Sequence, residues 1–248
     1  SFITHAFCSR HGGVSRGPYA SLNFSAREGD SDDNVSRNLE ITANSFGFSA
    51  RQFVTVNQVH RNEILTIERS GFLFHTCQAM EYDGIITNRP DVAICVKTAD
   101  CVPIFLVDTV RKVAGVVHAG WKGTALNIAA AAVGIFRERF SSETENIIAV
   151  VGPAIGPCCY QVDRQVTEVI GSERHKALCI IPCEEPGRWM LDLPLLNKLQ
   201  LQQAGIDEKN IELTCLCTSC HTDAFFSHRK EKGRTGRALN FLMIRNGA

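Results

Sequence analysis

Three apolar runs, residues 92–97, 102–107 and 113–118, follow one another with only short gaps, and helical periodicity over residues 124–140 comes directly after them. Runs of this length bounded by turn residues read as strands. The segment behind them repeats Ala125, Ile128, Ala129, Ala132, Ile135 and Phe136 on one helical face, with Arg137 and Arg139 near its dipole-negative end. Such a stripe has to be buried against a sheet. The reading is therefore a layered α/β fold, a single domain over residues 1–248 with a mixed β-sheet flanked by helices. Strands and helices mingle elsewhere without a regular βαβ rhythm. Residues 33–46 read as a helix capped by Asp32 or Asp33 and stopped by Gly47. Residues 162–170 and 192–204 are expected to be helical, the latter with Pro194 in its first turn and Gly205 as its stop. Residues 54–59, 146–152, 211–215 and 238–244 are expected to be strands.

Size and charge remove several function classes. A chain of 248 residues is long enough for one sizeable core. Its 26 basic and 26 acidic side chains balance, so no global field draws in nucleic acid or an anionic membrane. No apolar run approaches the ~20 residues needed to cross a bilayer. The 11 cysteines are odd in number and scattered, which suits a reducing compartment, the cytoplasm, better than a disulfide framework. Nothing in the sequence sets an oligomeric state. One stretch, residues 228–237, is strongly basic with two glycines; it reads as a solvated loop or as an anion-holding one.

Chemistry-bearing residues sit at the ends of the expected strands. His118 closes Val113-Ala114-Gly115-Val116-Val117, Cys101 lies in Thr98-Ala99-Asp100-Cys101-Val102-Pro103 between two strands, and His60 ends Val54-Thr55-Val56-Asn57-Gln58-Val59. Two imidazoles and a thiol can hold a metal such as Zn²⁺ with one position left open. The same residues also fit a metal-free Cys101–His118 nucleophile pair, or plain packing, since cysteine is among the most buried residue types. Cys215, Cys217, Cys220 and His221 form a second group with suitable ligand types, but their crowding fits no standard structural zinc spacing.

A family resemblance narrows these alternatives. Asn57-Gln58-Val59-His60, Asp83-Gly84-Ile85-Ile86-Thr87, Ala99-Asp100-Cys101-Val102-Pro103 and Val117-His118-Ala119-Gly120-Trp121-Lys122-Gly123 resemble consecutive signatures of the laccase-domain family, formerly called polyphenol oxidases. Ser9-Arg10-His11-Gly12-Gly13, Leu22-Asn23-Phe24, Gly152-Pro153-Ala154-Ile155-Gly156-Pro157-Cys158-Cys159-Tyr160 and Phe225-Phe226-Ser227-His228-Arg229 extend the match over nearly the whole chain. The resemblance implies a zinc-dependent purine nucleoside phosphorylase with adenosine deaminase activity, taking a purine nucleoside and phosphate as small-molecule partners. It implies His60, Cys101 and His118 as zinc ligands. Copper oxidation, the chemistry of the older name, is disfavoured because the chain has eight histidines and no His-x-His pair.

Phosphorolysis needs an anion site, and Arg10, Lys122 and Arg229 are the candidates, being cations in glycine turns or family motifs. A structural ion pair is the alternative for each arginine. Deamination needs a proton carrier; Asp83 and Asp100 are the candidates, with Asp100 placed among the catalytic residues and turn stabilisation as the alternative for both. The glutamate signature of zinc nucleobase deaminases does not accompany the chain's Cys-x-x-Cys. Trp121 and Phe226 can stack on a base or simply pack. Three rivals stand beside this reading: a Cys101–His118 hydrolase of the peptidoglycan-editing amidase type, a copper oxidase, and a non-catalytic zinc protein. The last needs a fourth protein ligand, to be sought among His75, His221 and His228.

Overall fold

The apolar runs of the middle region are strands, and the alternation within each decides which core its side chains enter. The computed structural model describes residues 2–68, 74–90 and 92–245, leaving the side chains of 74–76 aside. His75 therefore lies outside the described side chains. In chain order the elements are β1 (Ile3–Phe7), α1 (Asp32–Ser45), β2 (Phe53–Val54), β3 (Ile64–Ile67), β4 (Gly84–Thr87), β5 (Ala93–Thr98), β6 (Val102–Asp108), β7 (Val113–Ala119), α2 (Trp121–Ala125), α3 (Ile128–Phe140), β8 (Ile147–Val151), β9 (Gln161–Asp163), α4 (Arg164–Val169), α5 (Glu173–Cys179), β10 (Ile180–Pro182), β11 (Arg188–Leu191), α6 (Leu193–Gln203), β12 (Ile211–Leu213) and β13 (Ala238–Ile244).

Three mixed or antiparallel sheets result. A six-stranded sheet runs β12-β8-β6-β7-β4-β3, a four-stranded sheet runs β1-β13-β5-β2, and β10-β11-β9 form a small third one. β6 and β7 are an antiparallel hairpin, while β3–β4, β8–β12 and β2–β5 pair in parallel. Along β6, Val102, Ile104 and Leu106 face a core shared with Ile128, Ala132 and Phe136 of α3 and Leu196 and Leu201 of α6. Phe105 of β6 and Ala114 and Val116 of β7 face the other way, onto Ile94 and Val96 of β5 and Leu242 of β13. β13 repeats the pattern. Its Leu239, Phe241 and Met243 turn outward to the α1 side, where Phe53 and Ala43 meet them. The period of two in each strand thus produces four layers: helices, sheet, sheet, helix.

Several boundaries differ from the sequence reading. The expected helix at 124–140 is two helices, because Asn127 adopts the left-handed conformation (φ 62°) and resets the axis between α2 and α3; asparagine tolerates that conformation better than most residues. The first of these begins at Trp121, with Gly120 as N-cap. Ser31, not Asp32 or Asp33, caps α1, its hydroxyl accepting from the Asn34 N–H at 3.1 Å. The span 162–170 splits into β9 and α4, and the strand expected over 54–59 is only Phe53–Val54. His60 consequently sits in a loop, with φ 62°. β1, β3, β4, α5, β10 and β11 had no counterpart in the sequence reading.

Candidate metal centre

The two large sheets meet where β5 hands the chain to β6, and Cys101 lies in that crossing. His118 projects from β7 on the same face as Ala114 and Val116, toward the seam between the sheets. The register pairs Gly84 with Val117, so Asp83, just before β4, comes opposite His118. The His118 N–H donates to the Asp83 carbonyl at 2.7 Å, and Asp83 Oδ1 lies 2.8 Å from His118 Nδ1. The same carboxylate accepts from the backbone N–H groups of His60 at 3.0 Å, Arg61 at 2.6 Å and Val59 at 3.3 Å. One buried side chain therefore fixes His118 and builds the turn that presents His60. Burial pushes the Asp83 carboxyl up, but the bonds from His118, Arg61 and His60 and the imidazolium charge outweigh it and hold it below the usual carboxylate range.

His60, Cys101 and His118 converge. Their ligand atoms all lie within 4.8 Å of one another, Cys101 Sγ is 3.9 Å from His60 Nε2, and the imidazoles meet edge to face with centroids 4.7 Å apart. A zinc ion bonding nitrogen near 2.0 Å and sulfur near 2.3 Å requires donor separations of roughly 3.3–3.8 Å, so side-chain shifts of about 1 Å or less would bring the three donors onto a metal. With Nδ1 engaged by Asp83, His118 offers Nε2, the arrangement by which carboxylates orient metal-binding histidines. Burial pushes the Cys101 thiol up, yet the His118 charge and hydrogen bonds from both imidazoles bring it down to about 6. Burial lowers His118, while the Cys101 thiolate and Asp83 raise it to about 9. The metal-free pair is thus a thiolate beside an imidazolium. Gly120 closes the floor: a β-carbon there would lie 2.9 Å from His60 Cδ2 and 3.1 Å from Cys101 Sγ.

The three residues line a cavity of about 460 Å³, within the range of small-molecule sites. Ile155, Trp121, Val56 and Leu193 give it apolar wall, and Tyr160 an aromatic edge. Arg27, Lys97, Arg229 and Arg237 bring four cations to it, with Glu28 among them. Arg237 pairs with Glu28 Oε1 at 3.0 Å, and Glu28 Oε2 is buried without a partner among the described residues. Burial first, and then the charge of Arg27, push the Lys97 ammonium down, with Glu28 opposing.

A family model described as "Multi-copper polyphenol oxidoreductase laccase" matches residues 4–245. The chain belongs to that family. Purine nucleoside phosphorylase YlmD of Geobacillus stearothermophilus is 37% identical over 94% of this chain and 87% of its own length. The human purine nucleoside phosphorylase LACC1 is 36% identical over 97% of this chain, which spans 55% of it. The crystal structure of the Geobacillus YlmD superposes with a TM-score of 0.88 at 34% identity, covering 99% of this chain and 93% of that one. The multi-copper description does not match the ligands present. Among the described residues the histidine and cysteine donors form one three-ligand group and one all-cysteine group, not the histidine-rich constellation that several coppers need.

The cation assignments from the sequence need correction. Arg10 is spent on structure: its Nε donates to Ala20 O at 2.8 Å, its Nη1 to Thr222 O at 2.7 Å and to Glu231 at 3.1 Å, and it caps the Phe226 ring. Lys122 is exposed, its ammonium 5.5 Å from the Trp121 ring centre, outside the cavity lining. Arg229 does line the cavity, held by its backbone N–H on Asp100 Oδ2 (2.6 Å), by Nη1 on Gln161 O (2.7 Å) and over the Tyr160 ring. Asp100, which also lines the cavity, receives Thr218 Oγ1 on its other oxygen at 2.7 Å. Phe226 is buried packing, whereas Trp121 reaches the cavity. His228 lines the cavity too, but neither it nor His221 joins the three-ligand group. Arg27, Lys97 and Glu28 carried no motif that distinguished them from surface charges. Arg229 and Arg237 both belong to the basic stretch read as solvated or anion-holding, and both line the cavity. Among the described residues no helix is long and apolar enough to cross a membrane.

Proposed function

We propose that the protein is a zinc-dependent purine nucleoside phosphorylase, cleaving adenosine, inosine or guanosine with phosphate to free base and ribose 1-phosphate, with residues 1–248 as one catalytic domain. The observation that carries this reading is one cavity bearing both an open His60–Cys101–His118 donor set and the four cations Arg27, Lys97, Arg229 and Arg237, in a chain 37% identical to a named phosphorylase.

His60, Cys101 and His118 would hold the metal, which when bound supplies Lewis acidity to an oxygen in the cavity. The chain's own groups do the rest. The guanidinium groups and Lys97 neutralise phosphate and aim it. The unpartnered oxygen of Glu28 accepts from a ribose hydroxyl. Trp121, Tyr160 and Ile155 enclose the base and exclude water, so that phosphate, not solvent, attacks C1′. Deamination of adenosine at C6 is a second proposed activity. Asp83 is committed to His118 and the 59–61 turn, so Asp100, which lines the cavity beside Cys101, is the carboxylate proposed for the proton transfer. We place the protein in the cytoplasm, a reducing setting that suits eleven free cysteines.

The test is release of base from inosine or adenosine with and without phosphate, before and after chelation and zinc restoration. Phosphate-dependent release that chelation removes and zinc restores is the expected result. The thiolate–imidazolium pair favours one rival, a Cys101–His118 hydrolase. That rival predicts phosphate-independent turnover that survives chelation and is lost on Cys101 alkylation; this pattern would overturn the phosphorylase reading.

A further inference from the structure

Away from the catalytic cavity, the structure gathers four thiols from two segments remote in sequence. The sulfur atoms of Cys158, Cys159, Cys217 and Cys220 all lie within 4.8 Å of one another. Cys215 and His221, grouped with Cys217 and Cys220 by sequence proximity, are not among them. We infer that this cluster is a second, structural metal site, a tetrahedral Zn²⁺ bound by four cysteines.

Three observations carry the inference. First, the spacing matches: Cys220 Sγ is 3.5 Å from both Cys158 Sγ and Cys159 Sγ, and Zn–S bonds near 2.3 Å put tetrahedral sulfurs about 3.8 Å apart. Equal distance to two partners also gives Cys220 no preferred disulfide mate. Second, the Gly156 N–H donates to Cys217 Sγ at 3.2 Å, as donors do around a thiolate. Third, main-chain bonds place the two segments without help from any ion: Thr218 N donates to Ala154 O at 3.0 Å and Ala154 N to Leu216 O at 3.2 Å. The donors are preorganised, four soft thiolates that close the coordination shell, and a closed tetrahedral shell is the mark of a structural zinc. Binding displaces thiol protons and requires no oxidant.

The site ties down one wall of the cavity. Ile155 and Tyr160 flank the Cys158–Cys159 pair, and Thr218, between the other two cysteines, reaches Asp100 beside Cys101. Because none of its ligands belongs to the His60–Cys101–His118 group, this site stands or falls apart from the phosphorylase reading.

The experiment uses the full chain carrying Cys101→Ser, purified with reductant and without chelator, so that metal at the first site is depleted. Zinc X-ray absorption should show a first shell of sulfur alone near 2.3 Å, with about one zinc per chain. Adding Cys217→Ser and Cys220→Ser should remove that zinc. A Cys101→Ser protein that binds no zinc when dialysed against it would overturn the inference. So would a shell containing nitrogen or oxygen, or a thiol count showing that two of the four cysteines are oxidised in the purified protein. Should the double substitution fail to fold, the absorption spectrum of the Cys101→Ser chain alone still decides.

Discussion

Among the described residues are two clusters of metal-type donors, and they are built in opposite ways. His60, Cys101 and His118 come from a loop, a sheet-to-sheet crossing and a strand, and the two histidines are held by one buried carboxylate behind them. They offer three donors and leave a side open to a cavity of about 460 Å³. Cys158, Cys159, Cys217 and Cys220 come from two neighbouring loops stapled by backbone bonds, and offer four donors with no side left open. An open set with second-layer orientation suits chemistry; a closed set suits holding loops together. Breaking one cluster should therefore abolish turnover, while breaking the other should loosen it.

The widest separation between the clusters should appear with pH. In the metal-free protein His118 keeps its proton up to about pH 9, because the Cys101 thiolate and Asp83 favour the imidazolium. That proton has to leave before Nε2 can bind a metal. Affinity at the open site should rise about tenfold per pH unit and level off above 9, a change of about 1,000-fold from pH 6. Below about pH 6 the Cys101 thiolate is protonated as well, and the slope should steepen. Competition with a metal-buffering chelator at fixed free zinc measures this in a Cys217→Ser/Cys220→Ser background; a flat profile between pH 6 and 9 would break the assignment of His118 as a ligand.

Substitution comes next in size. His118→Ala should lower phosphorolysis at least ~100-fold, since metal-derived rate terms are worth several kcal/mol. Asp83→Asn should weaken zinc binding by about 10–100-fold, the usual cost of removing a partner that orients a ligand. It should also destabilise the fold in denaturant, because three backbone N–H groups lose their charged acceptor. Cys220→Ser should leave zinc affinity at the open site unchanged.

How far this contrast was legible in the sequence follows from how each cluster is made. His118, Cys101 and His60 end or join apolar runs, so strand-like patterning exposed all three, and the family motifs matched the same residues. The long helix was misread at Asn127 because one residue in a left-handed conformation leaves the apolar stripe on either side intact. The four-cysteine group was half visible. Cys217 and Cys220 form a Cys-x-x-Cys, but their partners lie some sixty positions away, joined by bonds such as Thr218 N to Ala154 O that no local pattern encodes. Lys97 and Arg27 were hidden for the same reason. An isolated cation on a strand or in a loop looks like a surface charge until the fold turns it toward a cavity.

The smallest effects should come from single cations, and they sharpen the comparison between charge that lines the cavity and charge that does not. Arg237→Ala should raise the KM for phosphate about tenfold, the order of one charge-assisted bond, while shifting the KM for nucleoside less. Lys122→Ala should leave both within about twofold, because its exposed ammonium lies outside the cavity and surface charges contribute little. Arg10→Ala should also spare the KM for phosphate, but for another reason. Its guanidinium lies outside the cavity lining and bonds Ala20, Thr222 and Glu231, so its loss should appear as about 1–3 kcal/mol in denaturant unfolding. Steady-state kinetics at varied phosphate, set beside unfolding curves for the three variants, separates these roles. A rise in phosphate KM for Lys122→Ala equal to that for Arg237→Ala would place the anion on the α2 side of the metal and remove Arg27, Lys97 and Arg237 from the site.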